Sequence, residues 1–287
     1  MQMTTGEKLF QVLLLVGISL LCIVMMYPFV HELAVSLSSP TEALRQGIHL
    51  IPKEFSFGAY KEVFSSKDIW NGMGSSLFRT IIGTVLMVFF MMLGAYPLSK
   101  KHLPHRNFYT MFIVFTMFFS GGLIPTYLLV KSLHLVDSRW ALIVPCLINT
   151  FSMLILRNFF MAIPEELEES AKMDGANDII VLARIIVPLS LPILATIALW
   201  SAVFHWNAWF DSLIYVQDPT KQVLQIYLRK LVVSNEDTSL QTLMNPYVTG
   251  ESIKAAVIMF VTMPILIVYP FLQKYFVKGV MVGSLKG

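Results

Sequence analysis

Long apolar runs alternate with short polar segments along this chain. Six runs approach the roughly 20 residues that a helix needs to cross a lipid bilayer: residues 10–29, 80–98, 108–130, 140–156, 185–204 and 255–272. Since lipid offers no partner to unpaired backbone groups, and since the runs are too long for barrel strands, each is predicted to be a helix. The pattern predicts an all-α integral membrane protein, a six-transmembrane-helix bundle forming a single domain over residues 1–287.

The composition agrees with a membrane protein. Of the 287 residues, 56% are hydrophobic and 14% are charged, whereas soluble domains carry roughly 25% charged residues. The first run lacks an Ala-x-Ala-like cleavage site and is long enough to span, so it is predicted to be an uncleaved helix. Cys22 and Cys146 lie within runs, where packing as small apolar side chains is their predicted role.

Basic residues set the predicted orientation. Lys100, Lys101 and Arg106 crowd the short loop after the second run, and short loops rich in Lys and Arg stay in the cytoplasm. The opposing charges lie in the two long loops, which weigh less in this rule. Both termini, the loop at 99–107 and an acidic segment at 164–184 are therefore predicted to be cytoplasmic.

The acidic segment is predicted to contain a helix, a tight turn and a second helix. Pro164 suits the first turn of a helix because its missing N–H would have no partner there. The four glutamates within 165–169 are favoured near a helix N-terminus. The first helix is predicted to end at about Met173, where Gly175 offers a left-handed stop.

The second helix is predicted to begin at Asn177 or Asp178, both suited to an N-cap. It is predicted to run through Arg184 until Pro188 disturbs it. Three apolar side chains on it are predicted to be partly exposed unless a partner covers them: Ile179, Ile180 and Leu182.

The same segment carries a recognisable spacing of residues. Glu169-Ser170-Ala171 is followed after three residues by Gly175, and after nine more by Ile185-Ile186-Val187-Pro188. This spacing resembles the EAA signature of permease subunits of ATP-binding-cassette importers, E-A-A-x3-G-x9-I-x-L-P. Ser170 stands in place of Ala and Val187 in place of Leu, and both changes nearly keep the shape of the side chain.

Other stretches are similar to carbohydrate permeases. The residues 174–176 and 188–192 resemble the sugar-importer branch, and the residues 119–127 resemble the subgroup assigned to oligo- or polysaccharide uptake in Gram-positive bacteria. The Trp206-Asn207 region and the basic tail at 275–287 are also similar to these permeases. The resemblance implies a type I importer fold and transport of a carbohydrate across the bacterial plasma membrane by alternating access.

By this resemblance, the acidic segment docks in a cleft on a cytoplasmic ATPase. Glu169 is expected to be the charged contact, Gly175 to shape the turn, and the basic tail to reach toward the ATPase dimer. The residues expected to couple the two subunits are Glu168, Glu169, Ala171, Asp174, Gly175, Ala176 and Asn177.

The resemblance also implies the partners. They are a second permease subunit, two ATPase subunits, an extracellular solute-binding protein, a carbohydrate substrate and the lipid bilayer, with no nucleic acid. No G-x-x-x-x-G-K-[ST] motif occurs in the sequence, so phosphate binding is expected on another subunit. ATP and Mg²⁺ are thus expected on the ATPase subunits, with no cofactor, metal site or catalysis in this chain.

A cluster at the outer end of the fifth run is predicted to line the substrate pathway. Trp206, Asn207, Trp209 and Asp211 combine aromatic faces, which suit sugar C–H surfaces, with amide and carboxylate groups that suit hydroxyls. Trp206 and Trp209 are predicted to share one helix face, and Asn207 and Asp211 a neighbouring one. The alternative is an aromatic belt at the lipid headgroups with a solvated Asp211.

The third run supplies further candidates. Phe119 and Tyr127 are predicted to line the pathway as well. Gly121, Gly122 and Pro125 are predicted to break or bend the helix and to form a hinge or gate.

Two other functions stay open from the residues. A polytopic membrane enzyme acting on lipid-linked sugars would need an acidic site near one interface, and the external acids show no recognisable pattern: Glu32, Glu42, Glu54, Asp68 and Asp218. A proton-coupled carrier would need more buried acids than Asp211. Of the remaining charged residues, His102 and His105 are too few for a metal site, and Arg79 and Arg157 are predicted to snorkel from span ends.

Overall fold

The computed structural model describes residues 4–233 and 248–284, with side chains up to residue 268. Within these residues the chain is helical, apart from one isolated β-bridge between Ser38 and Phe55. The helices are α1 Thr5–Ser36, α2 Pro40–Ala43, α3 Gly58–Ser65, α4 Lys67–Ser99, α5 Arg106–Phe118, α6 Leu123–Ser132, α7 Thr150–Met161, α8 Glu165–Met173, α9 Asp178–Val181, α10 Val187–Leu189, α11 Leu191–Asn207, α12 Phe210–Tyr215, α13 Leu224–Val233 and α14 Gly250–Ser284. The predicted basic tail lies outside the described side chains.

The described residues group into two compact units. One comprises Met1–Ile69 and Leu228–Pro264, and the other comprises Trp70–Tyr227 and Ile265–Gly287. The second unit holds the acidic segment and all of the predicted pathway residues. Its helices therefore position the candidate site, and the single domain over the whole chain stays a prediction.

Three helices of the described chain are long and apolar enough to cross a membrane by themselves: Gly6–Ser36, Lys67–Ser99 and Gly250–Val268. Three pairs of shorter helices would each serve as one span, but each pair is bent by more than 40° at a short break. The described residues thus supply up to six spans, the predicted number, when each bent pair is taken as one.

The helix α4 begins at Lys67, well before the predicted start at residue 80. No proline interrupts it before Pro97, and Asp68 in its first turn is favoured by the positive end of the helix dipole. The helix therefore begins before the apolar run does, because the apolar run marks only the part of the helix that lipid would cover.

The third predicted span is broken where its glycines predict a break. The helix α5 ends at Phe118, α6 begins at Leu123, and the two meet at a bend of 114°. Gly122 has φ +90° and ψ 177°, a conformation that is essentially limited to glycine. Pro125 lies in the first turn of α6, where its missing N–H leaves no hydrogen bond unmade. The predicted break is confirmed, whereas movement at this point stays a prediction.

The fourth predicted span, residues 140–156, is not one continuous helix. Two 3₁₀ turns, Arg139–Leu142 and Val144–Cys146, precede α7, and the bend between the two parts is 49°. Pro145 lies inside the second turn and cannot donate to a helical ladder. Asn149 then caps α7 by accepting a 2.9 Å hydrogen bond from the Ser152 N–H.

The fifth predicted span is also bent. The stretch Asp178–Leu189 meets α11 at 84°, with a π-helical turn at Leu182–Ile186. Pro188 cannot donate a backbone hydrogen bond to the carbonyl four residues earlier, and the Val187 N–H instead bonds the Leu182 carbonyl five residues back. Proline therefore explains both the widened turn and the break that follows at Ser190.

The core of the second unit lies where α4, α7 and α11 meet. Met91, Leu156 and Ile197, one from each helix, are fully buried there. Val181 and Ile186 join the same cluster. The core therefore extends from the apolar bundle to the acidic segment.

The side chain of Arg79 on α4 is fully buried, at 0% exposure, so the prediction that it snorkels is wrong. One terminal nitrogen donates to Asp211 Oδ1 at 2.9 Å and to the Ala208 carbonyl at 3.1 Å. The other terminal nitrogen pairs with Asp211 Oδ2. The Nε of Arg79 donates to Nδ1 of His205 at 3.4 Å. A buried guanidinium is tolerated when its donors are satisfied by an opposite charge in this way.

Replacing Gly122 by Ala should destabilise the protein, because the alanine would occupy a backbone region costing on the order of 1–3 kcal/mol. Gly121→Ala is the matched control, since Gly121 has no positive φ and its Cβ would lie 3.7 Å from that of Pro125. The measurement is the apparent melting temperature of each purified variant in one detergent. Equal melting temperatures for the two variants would contradict the role of Gly122 in the break.

Removing the charge of Asp211 should be more damaging than removing that of Arg79. Asp211→Ala strands a guanidinium with no access to water, at a cost of about 3–5 kcal/mol, whereas the Asp211 carboxylate is partly exposed. In the double variant Arg79→Met/Asp211→Ala the loss should be smaller than the sum of the two single losses. Apparent melting temperatures test this order, with Arg157→Met as the control because Arg157 reaches water and pairs only with neutral groups.

Candidate functional site

The candidate site is a hairpin of two short helices, α8 and α9, here called the acidic hairpin (residues 165–181). The helix α8 runs from Glu165 to Met173, as predicted. Pro164 is the N-cap immediately before it rather than a residue of its first turn. Three glutamates lie in that first turn: Glu165, Glu166 and Glu168. Negative charges near the unpaired N–H groups at a helix N-terminus stabilise this end of α8.

Gly175 forms the turn of the acidic hairpin in the predicted manner. Its φ is +86°, and its N–H bonds the Lys172 carbonyl at 3.0 Å. The Ala176 N–H bonds the Ala171 carbonyl at 2.9 Å. These two bonds form a Schellman motif, in which the left-handed position favours glycine.

Asn177 caps the second helix, also as predicted. Its side-chain oxygen accepts a 2.9 Å hydrogen bond from the Ile180 N–H. The regular helix ends at Val181, earlier than the predicted Arg184, because the π-helical turn begins there. The side chains of Ile179 and Ile180 are exposed, as predicted for apolar groups that a partner would cover.

The inner face of the acidic hairpin is small and apolar around one carboxylate. Glu168 is the buried residue of α8, and Val181 is fully buried. Ala171 and Ala176 pack against the core cluster of α4, α7 and α11. Alanine at these positions allows the hairpin backbone to lie close to the bundle.

The outer face of the acidic hairpin is open to water. Glu169 and Ser170 are exposed, and the Ser170 hydroxyl donates to the Glu166 carbonyl at 2.8 Å. Met173 is 88% exposed. Ser170 therefore replaces the first alanine of the EAA spacing at a position where no packing requires alanine.

Three lysines pair with the acids of the hairpin. Lys100 pairs with Glu168, Lys101 with Glu165 at 2.9 Å, and Lys172 with Asp178 at 2.8 Å. The hydrogen bond from Lys101 holds the pKa of Glu165 below its ordinary value. The hydrogen bond to Asp178 raises the pKa of Lys172. Both shifts favour the charged forms at neutral pH, so these pairs persist there.

The structure separates the predicted pathway tryptophans. The helix α11 ends at Asn207, and Ala208 is extended, with φ −74° and ψ 129°. Trp206 and Trp209 therefore do not share a helix face, and that prediction is wrong. Trp206 is buried, whereas Asn207 is exposed and donates to the Val203 carbonyl at 3.0 Å.

Two of the predicted pathway residues come together in one cluster. Tyr127 stacks on Tyr215, with ring centroids 6.2 Å apart, and both Tyr127 and Trp209 pack against the cluster that includes Tyr215. Phe119 is exposed and instead stacks on Phe115 at 5.3 Å. Asp211 is held by Arg79 rather than simply solvated.

Arg79 and Lys100 each form an ion pair that the sequence interpretation missed. An arginine close to a predicted span was a usable signal, because ionisable groups at membrane depth are costly and are retained for a reason. The sequence interpretation uses Lys100 only as one of the basic residues that set the predicted orientation in the membrane. The described residues contain no group of three or more His, Cys, Asp or Glu side chains that could hold a metal ion.

Comparison with known proteins identifies the family. Residues 69–282 match the model of the binding-protein-dependent transport system inner membrane component. The chain is 46% identical over 262 residues to Protein LplC of Bacillus subtilis (strain 168), covering 91% of this chain and 89% of LplC. It is 43% identical to the polygalacturonan/rhamnogalacturonan transport system permease protein YtcP of the same organism, covering 98% of this chain and 99% of YtcP.

A solved structure gives the same answer. The chain superimposes with a TM-score of 0.90 and 33% identity on a chain of a bacterial ABC transporter involved in the import of the acidic polysaccharide alginate. The match covers 96% of this chain and 99% of that one. The all-α fold and the resemblance to importer permeases are confirmed. The chain belongs to the family of binding-protein-dependent transport system inner membrane components.

Proposed function

We propose that this chain is one of two permease subunits of an ATP-driven importer of an oligo- or polysaccharide. The observation that carries the proposal is the two-sided acidic hairpin, whose inner face is fixed to the bundle while Glu169, Met173 and Ile179 face water. A partner that moves such an element would move the helices attached to it. The names of YtcP and of the alginate transporter support the substrate class.

The proposed assembly contains a second permease, two ATPase subunits on the cytoplasmic side and an extracellular solute-binding protein, in the bacterial plasma membrane. ATP and Mg²⁺ bind to the ATPase subunits in this proposal. Both termini and the acidic hairpin face the cytoplasm, in line with the lysines that surround the hairpin. The family description, a component of a binding-protein-dependent transport system, supports the external partner.

The proposed docking contacts divide between the two faces of the hairpin. Glu169 contacts the ATPase directly, and Asp174, Gly175 and Asn177 set the exposed turn that enters its cleft. Glu168, Ala171 and Ala176 support that turn from the inner face and do not contact the ATPase.

The proposed substrate pathway includes the cluster around Tyr127 and Trp209, with Asn207 as a hydrogen-bonding group. Aromatic faces of these residues suit the C–H surfaces of a sugar chain. Gly121, Gly122 and Pro125 form the proposed hinge, since the 114° break frees the backbone there from a continuous ladder. Trp206, Asp211 and Phe119 support this pathway rather than line it. Trp206 is buried, Asp211 is paired with Arg79, and Phe119 is exposed and stacks on Phe115.

The enzyme alternative, acting on lipid-linked sugars, is not favoured by the comparisons. The family is described as a transport-system component, and the relative YtcP is named as a transport system permease protein. The external acids considered for it also have other partners: Glu42 pairs with Arg45 at 3.2 Å, and Asp218 accepts from Thr220 and Lys221. We therefore retain transport as the proposed function.

Replacing Glu169 by Ala should reduce the amount of ATPase subunit that copurifies with the permease by about tenfold, because a hydrogen bond to a charged group is lost. Gly175→Val should have a similar effect by distorting the turn. The measurements are ATPase recovery with the tagged permease and uptake of labelled oligogalacturonide and alginate oligosaccharide.

Glu166→Ala is the matched control, since it removes the same charge from an exposed position of the same helix. It should leave both copurification and uptake close to wild type. Wild-type uptake in both Glu169→Ala and Gly175→Val, at normal permease levels, would exclude the docking role.

A further inference from the structure

Lys100 and Glu168 form an ion pair between the end of α4 and the inner face of α8. Lys100 directly follows Ser99, the last residue of α4. The two side chains are only 14% and 11% exposed. Shielding from water lowers the local dielectric constant and so strengthens the attraction between the two charges.

The lysine is fixed from a second direction. Its Nζ lies 4.2 Å from the centroid of the Tyr96 ring, a cation–π contact. Tyr96 is itself buried in the core cluster shared by α4, α7 and α11. Lys100 therefore connects the carboxylate of the acidic hairpin to the packed core, with little freedom at either contact.

A neighbouring pair of the same chemistry shows the difference that burial makes. Lys101 and Glu165 are also paired, at 2.9 Å, but their side chains are 74% and 60% exposed. Water screens such a pair, and exposed pairs contribute little to rigidity or stability. A shielded ion pair and a solvated ion pair therefore join the same two segments, and the effects of breaking them can be compared directly.

The two adjacent glutamates of α8 also point in different directions. Successive helical residues do not face each other, and Glu169 is exposed while Glu168 is buried. An outward carboxylate is suited to a partner subunit, and an inward carboxylate is suited to the bundle. The short helix is therefore able to receive a force on one face and pass it on through the other.

We infer that Lys100 and Glu168 are positioning residues that transmit movement of the acidic hairpin to α4. This inference rests on the proposed function as a permease driven by an ATPase. Without the pair, the hairpin would be held to the bundle by its backbone, by the contacts of Ala171, Ala176 and Val181, and by the solvated Lys101–Glu165 pair, which water screens. Those small apolar contacts resist separation but allow sliding, whereas a shielded ion pair fixes the register of the two segments.

The test uses the complete transporter in proteoliposomes. The quantity measured is the number of labelled oligosaccharide molecules transported per ATP hydrolysed. Lys100→Met and Glu168→Gln should each lower this ratio by at least about fivefold, in the range of typical coupling between two sites. The ATPase subunits should remain bound. The fall in apparent melting temperature of the complex should be smaller in Glu168→Gln, which removes the shielded carboxylate charge, than in Lys100→Met, which leaves that charge unpaired.

Lys100→Arg should keep the ratio within about twofold of wild type, because it keeps the charge and the cation–π contact. Lys101→Met and Glu165→Gln are the matched controls, and both should leave the ratio unchanged. If the pair were purely structural, breaking it would lower the protein yield, and Lys100→Arg would not selectively restore the transport ratio.

Glu168→Gln keeps the shape of the side chain, so it remains informative if Lys100→Met does not assemble. An unchanged transport ratio in Glu168→Gln would overturn the inference, and so would loss of the ATPase subunits from that variant, since the pair would then act in docking. Failure of the wild-type complex to transport either oligosaccharide would instead count against the proposed function itself.

Discussion

The helix α8 has nine residues, which is too short to be stable in water by itself. Its order depends on attachment from one side. Ala171 lets its backbone approach the core cluster, and Glu168 is satisfied by Lys100 at the same face. Because a single face suffices for this attachment, Glu169 and Met173 on the other face are left exposed. The exposed acidic and apolar groups of the hairpin are a consequence of that division.

The bends in the apolar helices follow from a related constraint on backbone hydrogen bonds. A break inside a membrane leaves N–H and carbonyl groups that lipid cannot satisfy. Side chains meet part of this need at the breaks: the Ser120 hydroxyl oxygen accepts from the Gly122 N–H at 3.3 Å, and the Asn149 side-chain oxygen accepts from the Ser152 N–H at 2.9 Å. Proline has no backbone N–H, so Pro125 and Pro145, next to these two breaks, each leave one fewer donor in need of an acceptor. Side-chain acceptors of this kind allow a span to change direction at a lower cost in unpaired backbone groups.

The sequence predicted best what local chemistry decides. The end of α8, the left-handed Gly175 and the cap at Asn177 all depend on residues within one or two turns, and all three are as predicted. The break at Gly122 belongs to the same class. Local rules succeed here because capping and glycine conformation are decided by the immediate neighbours.

Features that depend on distant residues were not predicted. The pairing of Arg79 with Asp211 joins positions 132 residues apart, and no periodic pattern indicates it. The extended Ala208, which separates Trp206 from Trp209, has neither a glycine nor a proline to signal the end of the helix. The family resemblance assigned Glu169 to the expected docking contact and counted Glu168 among the expected coupling residues, without indicating that Glu168 faces the bundle.

Two ion pairs that the sequence did not predict hold α4 at two points along its length. Arg79, inside α4, binds Asp211 in the first turn of α12, and Lys100, directly after the last residue of α4, binds Glu168 on α8. At about 1.5 Å per residue the two basic groups are separated by about 32 Å along the helix axis, close to the roughly 30 Å thickness of the bilayer core. A continuous helix held at two points this far apart moves as one body between them. In the proposed transport cycle, a displacement of the acidic hairpin therefore reaches the segment that carries Trp209 without passing through any flexible loop.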